Sequence, residues 1–574
     1  VEEGLISEAD IDLAVTRLFT ARFRLGMFDP PEQVPFAHIP YEITNSPQHQ
    51  TLALQAARES MVLLKNEDNL LPLPKDPGSI AVVGPNADHL SALMGNYNGT
   101  PARAVTPLEG IRKKLSPSTK LYYTQGCGLV EGVPPFEVIP SAFLRPADAD
   151  AGATGLTAAY YANARHEDEP TLVRVDGAVD FFWKDTTPLT GQCADDFSIL
   201  WTGYLVPPVS GSYRLGADAC NGYRLYLDGD LLVEYESVHH PALRGKEVEL
   251  EGGRFYPLRL EFSSYGLDPQ ARLLWARPDV DYEAPALEAA GKADTIVAVM
   301  GISPRLEGEE MPVRVDGFEG GDRTSIGLPR LQEELLKKLH GLGKPVVLVL
   351  LNGSALAVTW AAEFIPAIVE AWYPGQAGGD ALADVLFGDY NPGGRLPVTF
   401  YRSLDDLPPF DDYRMEGRTY RYFEGDPLFA FGHGLSYTHF RFDNLQINPG
   451  EIQAGDQVTV SCEVTNTGDR AGDEVAQLYV RHPQATVPRP IHELKGFARF
   501  MLEPGETRTV AFTLHTDLLA IYDEDVRQVV QPGVVDLMVG RSSDNLPLTG
   551  QLEITGPPEE VGRDKVFFGS TQIK

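Results

Sequence analysis

The 574-residue sequence predicts a multidomain chain, part α/β and part all-β. Three observations carry that reading. Short, nearly all-apolar runs alternate with helical patterns: IAVVG at 80–84, TIVAVMG at 295–301, VVLVLLNG at 346–353 and AIVEAW at 367–372. Strands of that kind form a mostly parallel sheet covered on both faces. Between the first and second runs, about residues 156–278, aromatic and apolar residues alternate with polar ones between Asp-Gly and Ser-Gly turns, as in antiparallel strands. From about residue 440 a further set of period-two runs (QVTVSCEVTNTG, EVAQLYVRH, TRTVAFTLH, GVVDLMVG) has the strand spacing of an immunoglobulin-like sandwich. The expected architecture is an α/β/α sandwich interrupted by an inserted β-sandwich and followed by a second β-sandwich.

Taken in order, Ser7 with Asp10 three residues on reads as a helix start. Ile11, Val15, Leu18, Phe19 and Phe23 recur at helical spacing and Gly26 closes the helix. That apolar stripe needs a covering surface from elsewhere. Val1 runs almost directly into this helix, so the sequence reads as the later part of something longer. A Pro-rich linker (Asp29 to Pro47) leads to a second helical stretch through Ala56–Glu59 and the apolar MVLLKN. The expected boundaries are 1–48, 49–149 and 281–439 for the two parts of the α/β domain, 150–280 for the insertion, 440–556 for the last β unit and 557–574 for a polar tail that wraps a surface.

Composition excludes several classes of function. Gly 55 and Pro 45 together are too few for a low-complexity chain. The net charge of −33 repels phosphate backbones and anionic lipids, so neither a nucleic acid nor a membrane is an expected partner. The longest apolar run, VVLVLL, is far short of the roughly 20 residues a spanning helix needs. Cys127, Cys193, Cys220 and Cys462 lie far apart with no C-x-x-C pair, which argues against structural zinc and a disulfide framework, although a single Cys193–Cys220 bridge stays open. The paired His239 and His240 would point to opposite faces of a strand, so no metal site is expected there. There is no GxxxxGK[ST], no GxGxxG after a strand, no GxSxG and no HExxH.

One segment stands apart: GISPRLEGEEMPVRVDGFEGGDRTSIGLP, from Gly301 to Pro329. It leaves the carboxyl end of a buried strand, where α/β proteins build sites. Glu307, Glu309, Glu310, Asp316, Glu319 and Asp322 are interleaved there with Arg305, Arg314 and Arg323. A solvated acidic loop and a proton-transfer site are both open on composition, since apolar or like-charged surroundings keep a carboxylic acid protonated near neutral pH.

The chain resembles glycoside hydrolase family 3. GLISEADIDLAVTRLFTARFRLGMFD is similar to the last helix of that family's catalytic barrel. LQAARESMVLLKNEDNLLPL, VVGPNAD, NYNGTPARAVTPLEGI, AWYPGQAGGDALADVLFGDYNPGGRLPVTF and FGHGLSYTHF are similar, in order, to landmarks of its α/β sandwich domain. The insertion looks like a protective-antigen-type β-sandwich and the last β unit like a fibronectin type III-like domain. The resemblance implies an exo-acting retaining β-glycosidase that takes terminal β-linked sugars from an oligosaccharide substrate, with no metal and no organic cofactor. An Asp on the barrel would attack the anomeric carbon and a Glu on the α/β domain would protonate the leaving oxygen, the two carboxyls standing roughly 5–5.5 Å apart. The barrel Asp has no counterpart in this sequence. Residues 1–48 are thus expected to be the barrel's last helix plus linker, the barrel to come from a preceding segment or separate chain, and the chain alone to be inactive. LEGEEM aligns Glu309 with the acid/base, Glu310 lies one register away, and Glu319 fits relatives with no spacer before Asp-Arg. Asp322 and Arg323 are expected to pair and hold the loop. LEGEEM and RTYRYF lean towards β-xylosidases over β-glucosidases; the reading from another class is a non-catalytic carbohydrate-binding or interaction module. Sugar-gripping residues are unassigned, a periplasmic or secreted location is favoured, and a homodimer is left open. Trp372, Tyr373, Trp201, Tyr223 and Tyr226 are expected to fill cores rather than stack on sugar.

Overall fold

A computed structural model of the chain describes residues 1–147, 152–183, 187–189, 196–236, 242–265, 269–485, 487–562 and 564–574. Cys193, His239 and His240 lie outside them. The chain divides into two units, Val1–Ala56 and Ala57–Lys574.

In the first unit, the Ser7 hydroxyl accepts from the Asp10 N–H and the Asp10 carboxylate accepts from the Ser7 N–H, a capping box that starts the Glu8–Arg24 helix. No residue of this helix is buried. Its stripe of Ile11, Val15, Leu18, Phe19 and Phe23 is exposed, with Leu18 and Phe23 both at 64%. Phe28 folds back past Gly26 to stack on Phe19 and pack at a tilt against Phe23. Short 3₁₀ turns then lead to the Pro47–Ser60 helix.

The second unit opens with a mixed six-stranded sheet. Its spatial order is Val62–Asn66, Ala367–Glu370, Val346–Leu351, Thr295–Gly301, Ser79–Val83 and Lys120–Thr124. The last five are parallel, and Val62–Asn66 joins antiparallel with Val62 opposite Glu370. Every residue of 295–301, 346–351 and 367–370 is buried, so both faces are covered, as the unbroken apolar runs require. Ile296, Ala298 and Met300 pack with Ala286 and Ala290 of the Glu283–Lys292 helix and with Leu335, Leu336 and Leu339 of the Arg330–His340 helix. Helices Pro107–Lys114 and Gly378–Leu386 meet at Gly110 and Gly379, where a Cβ on Gly110 would stand 1.9 Å from the Gly379 carbonyl oxygen.

Between Lys120–Thr124 and Thr295–Gly301 the chain makes two antiparallel sheets around one core of Tyr160, Phe197, Trp201, Tyr213, Phe262 and Trp275. Trp201 donates to Asp176 at 2.9 Å and Tyr223 donates to the Ala217 carbonyl at 3.2 Å, and both fill the core as expected, whereas Tyr226 alternates to the other face of its strand, under Arg259. Strand pairing reaches upstream of the expected boundary at 150. Glu137–Val138 pairs with Leu274–Trp275, and Leu144–Pro146 pairs with Phe197–Leu205. These short strands sit in the Pro-rich stretch VPPFEVIPSAFLRP, which has no alternation to reveal them.

Besides a small third sheet of Ile521–Tyr522, Gln528–Val530 and Glu559–Glu560, the last all-β region has two main sheets. One runs Phe440–Asn448, Gln457–Asn466, Thr507–His515, Ser570–Ile573; the other runs Glu451–Gln453, Leu548–Thr555, Gly533–Gly540, Gly472–Arg481, Glu493–Leu502. Val460, Phe512, Leu478, Leu537 and Leu552 share one core. The tail does more than wrap a surface: Ser570–Ile573 adds an edge strand on Thr507–His515. All four of its side chains are exposed, which is why its sequence reads as polar. Glu474, wholly buried, ties this region to the α/β part through Arg395 and pairs within the region, at 2.7 Å, with Arg541.

Candidate active site

The loop of residues 302–329 starts from a fixed point. Gln332, wholly buried, accepts from the Gly301 N–H at 2.8 Å and donates to the carbonyls of Gly301 and Leu129, both at 2.7 Å. Asn86, from the loop after Ser79–Val83, donates to the Ile302 carbonyl at 3.1 Å. Ile302, Leu306, Phe318 and Leu328 then plug the loop into the core of the α/β sheet. An acidic loop that is merely solvated would have no such anchors.

Glu307 is the polar anchor. Its Oε1 accepts from the Gly353 N–H at 2.9 Å and the Tyr373 hydroxyl at 2.8 Å, and its Oε2 accepts from the Ser354 hydroxyl at 2.7 Å. Those donors follow the carboxyl ends of the next two strands, so one carboxylate ties three strand ends together. Burial and then the Glu307 charge push the Tyr373 phenol well above its ordinary pKa, so it stays a donor. Arg323 donates to the Ser354 hydroxyl at 3.0 Å and to the carbonyls of Ala355 at 2.7 Å and Ser325 at 3.0 Å. Burial lowers its pKa, against the pull of Glu307. The expected pairing of Arg323 with Asp322 is replaced by these contacts. Neighbouring strand residues point to opposite faces, and Asp322 is exposed across from Glu319.

Past Glu307 the loop closes on itself. Gly308 N–H donates to the Gly321 carbonyl at 3.0 Å, Met311 N–H to the Gly320 carbonyl at 2.8 Å, and Gly320 N–H to the Val313 carbonyl at 2.8 Å. A Cβ on Gly308 would stand 2.2 Å from Asn96 Nδ2, and one on Gly321, at φ +93°, would stand 2.0 Å from the Gly308 carbonyl oxygen. Asn96 Nδ2 donates to the Glu307 carbonyl at 3.1 Å, which brings residues 96–97 beside the loop.

The three candidate acids separate here. Glu309 is exposed and accepts a hydrogen bond from the Tyr97 hydroxyl; that bond, then the carboxylate charge, raises the Tyr97 pKa. Glu310 is exposed at φ +46°. Glu319 is exposed and meets Arg314 at 3.3 Å across a short hairpin. His89, in the exposed segment after Ser79–Val83, lies within electrostatic reach of Arg305 in this loop and Arg272 in the inserted β region. Among the described residues no group of three His, Cys, Asp or Glu could hold a metal ion, and no helix is long and apolar enough to cross a membrane.

Residues 61–437, which contain all of these contacts, match the glycosyl hydrolase family 3 C-terminal domain. The chain belongs to glycosyl hydrolase family 3. Residues 474–543 match the fibronectin type III-like domain. The chain is 36% identical over 562 residues to a xylan 1,4-β-xylosidase of Xylanibacter ruminicola, covering 95% of this chain and 62% of that protein. It is 33% identical over 540 residues to a probable β-glucosidase I of Aspergillus terreus, covering 85% of this chain and 61% of the relative. The crystal structure of a β-glucosidase from Kluyveromyces marxianus in complex with glucose superposes with a TM-score of 0.67 at 28% identity, over 90% of this chain and 64% of that one. The chain thus spans less than two thirds of the length of these family 3 relatives. Sequence reading passed over Glu307 as an anchor, because its partners lie 46, 47 and 66 residues downstream. It read Tyr373 as core filling and missed the hydroxyl's aim at Glu307.

Proposed function

We propose that this chain is the C-terminal part of a retaining exo-β-glycosidase that releases terminal β-linked sugars from oligosaccharides and supplies the acid/base, Glu309. The observation that carries this is Glu309, an exposed carboxyl that accepts from the Tyr97 hydroxyl and is presented by a braced loop at the carboxyl end of the sheet in a family 3 chain. In the reading, a protonated Glu309 gives its proton to the glycosidic oxygen as an Asp attacks the anomeric carbon. The glycosyl-enzyme bond forms as the sugar–oxygen bond breaks, and Glu309 then takes a proton from the water that releases the sugar. A general acid needs dry surroundings, and Glu309 is exposed within this chain. A sugar and a facing wall would supply them. We assign that wall, with the nucleophile, to a (β/α)8-type barrel whose last helix is Glu8–Arg24; the bare apolar stripe of that helix supports the assignment. The domain reading is an α/β/α sandwich, a protective-antigen-type insertion and a fibronectin type III-like sandwich; the two-sheet cores of the β regions support it.

A β-xylosidase is favoured over a β-glucosidase, on the relative named as a xylan 1,4-β-xylosidase. Incubating the purified 574-residue chain, alone and with a family 3 barrel, with nitrophenyl β-xyloside and β-glucoside tests both points. Xylose release that needs the barrel supports the reading. Robust turnover by the chain alone refutes the assignment of the nucleophile, and a preference for glucoside moves the substrate to glucose.

A further inference from the structure

Glu370 ends the Ala367–Glu370 strand and is wholly buried. A carboxyl so placed costs free energy unless its hydrogen bonds are made. Its Oε2 accepts from Asn352 Nδ2 and its Oε1 from the Trp372 N–H, both at 3.0 Å. Asn352 Nδ2 also donates to the Ser354 carbonyl at 2.9 Å, closing the turn after Val346–Leu351. Trp372 is held at φ +58°, a left-handed conformation that a large residue keeps only where its surroundings impose it. Its indole N–H donates to the Ser60 carbonyl at 3.1 Å, which fixes it from the other side. The two segments gripped by Glu370 are the two that brace Glu307: Gly353–Ser354 on one side and Tyr373 on the other.

We propose that Glu370 is a positioning residue for the proton-transfer carboxyl of this site, acting through Asn352, Trp372 and Glu307 on Glu309; the inference rests on the reading of Glu309 given above. Glu370 touches no reacting atom. Its two oxygens set where the three donors to Glu307 stand, and Glu307 sets where the chain leaves the core two residues before Glu309. Gly308, pinched between Asn96 and Gly321, passes that placement on with little slack. The role needs two oxygens that can accept on one planar group; a carboxyl offers both, charged or protonated, whereas an amide replaces one of them by an NH2 donor.

The charges agree with this arrangement. The groups facing Glu370 are the Asn352 amide, the Trp372 N–H and, at longer range, the Glu307 carboxylate. Burial, opposed by the two hydrogen bonds and reinforced by the Glu307 charge, raises Glu370 to about 8. At neutral pH it holds its proton, so the brace carries the charge of Glu307 without a second buried anion beside it.

The test is Glu370→Gln, which keeps the volume and loses one acceptor, with Asn352→Ala as a second variant that breaks the link at Oε2 and the bond to the Ser354 carbonyl while leaving the link at Oε1. Both are made in the active protein that contains this chain. With xylobiose, kcat should fall at least tenfold with KM within about twofold, whereas nitrophenyl β-xyloside, whose leaving group needs no proton, should lose less than about threefold. Amide exchange gives a readout independent of activity: the Trp372 and Gly353 N–H groups should exchange at least tenfold faster, with residues 346–351 unchanged. Equal losses on the two substrates, or unaltered exchange at both amides in a folded variant, would overturn the proposal. If the unaltered protein hydrolyses neither substrate, the glycosidase reading fails, and the exchange rates alone decide whether Glu370 braces Glu307.

Discussion

Replacing Glu307 by Ala removes one carboxylate and three hydrogen bonds at a stroke. Gly353 is exposed, so water replaces the carboxylate at its N–H and that loss is small. The Tyr373 and Ser354 hydroxyls are partly covered, and each loses a bond to a charged acceptor worth about 1.5–3 kcal/mol. Arg323 loses the negative charge that opposes its desolvation. The sum is about 3–5 kcal/mol of local stability. It falls on the loop rather than on the sheet, because Ile302, Leu306, Phe318 and Leu328 stay in the core. Local opening should therefore rise roughly 10²–10³-fold, at about 1.4 kcal/mol per factor of ten. Hydrogen exchange at the amides of Gly308, Met311 and Gly320, each bonded within the loop, reads this directly. Glu307→Gln keeps one acceptor and should show a much smaller rise. Acceleration below about fivefold in a folded Glu307→Ala variant would refute the view that this carboxylate holds the loop.

Other outcomes follow from the same geometry. Glu370 keeps its proton in the native state up to about pH 8, whereas the unfolded chain releases it near the ordinary carboxyl value. The native state then binds more protons over that window, so stability falls as pH rises from about 4.5 to 8. Urea midpoints measured across this range should drop, and Glu370→Gln should flatten the slope. Arg395→Met strips one of two cations from the wholly buried Glu474 and should cost about 3–5 kcal/mol, visible as a lower urea midpoint; a shift worth less than about 1 kcal/mol would contradict that role. Replacing residues 137–277 by a short linker should leave hydrolysis of nitrophenyl xyloside within about tenfold while changing the preference among oligosaccharide lengths, since Arg272 of the inserted region and Arg305 of the loop both lie within electrostatic reach of His89. An unchanged length profile in a folded deletion variant would make the inserted region a spacer.

Much of this organisation is legible in the chain itself. Runs such as TIVAVMG have no polar residue to turn outwards, so a strand covered on both faces is the solution they permit. The core of the inserted region follows from alternation, as at Phe197–Leu205. What alternation cannot report is a two- or three-residue strand in a Pro-rich stretch, and Glu137–Val138 escaped for that reason. The loop at 301–329 is conspicuous by its acids, but charge counting treats them as equals. Glu307 became an anchor because Gly353, Ser354 and Tyr373 converge on it from other strand ends. That convergence is set by sheet order, which local pattern does not encode. Asp322 and Arg323 mislead for a simpler reason: adjacency in sequence suggests a pair, whereas strand geometry turns the two side chains apart.

The central claim is that Glu309 moves the proton, and Glu309→Gln tests it most directly. The variant should be assayed in the active protein with xylobiose and with nitrophenyl β-xyloside, with and without azide. The account predicts a loss of about 10²–10⁴-fold on xylobiose, a much smaller loss on the nitrophenyl glycoside, and partial rescue of the latter by azide attack on the glycosyl-enzyme. Normal hydrolysis of xylobiose by Glu309→Gln, with the loss appearing instead in Glu310→Gln or Glu319→Gln, would contradict it and move the proton to that residue.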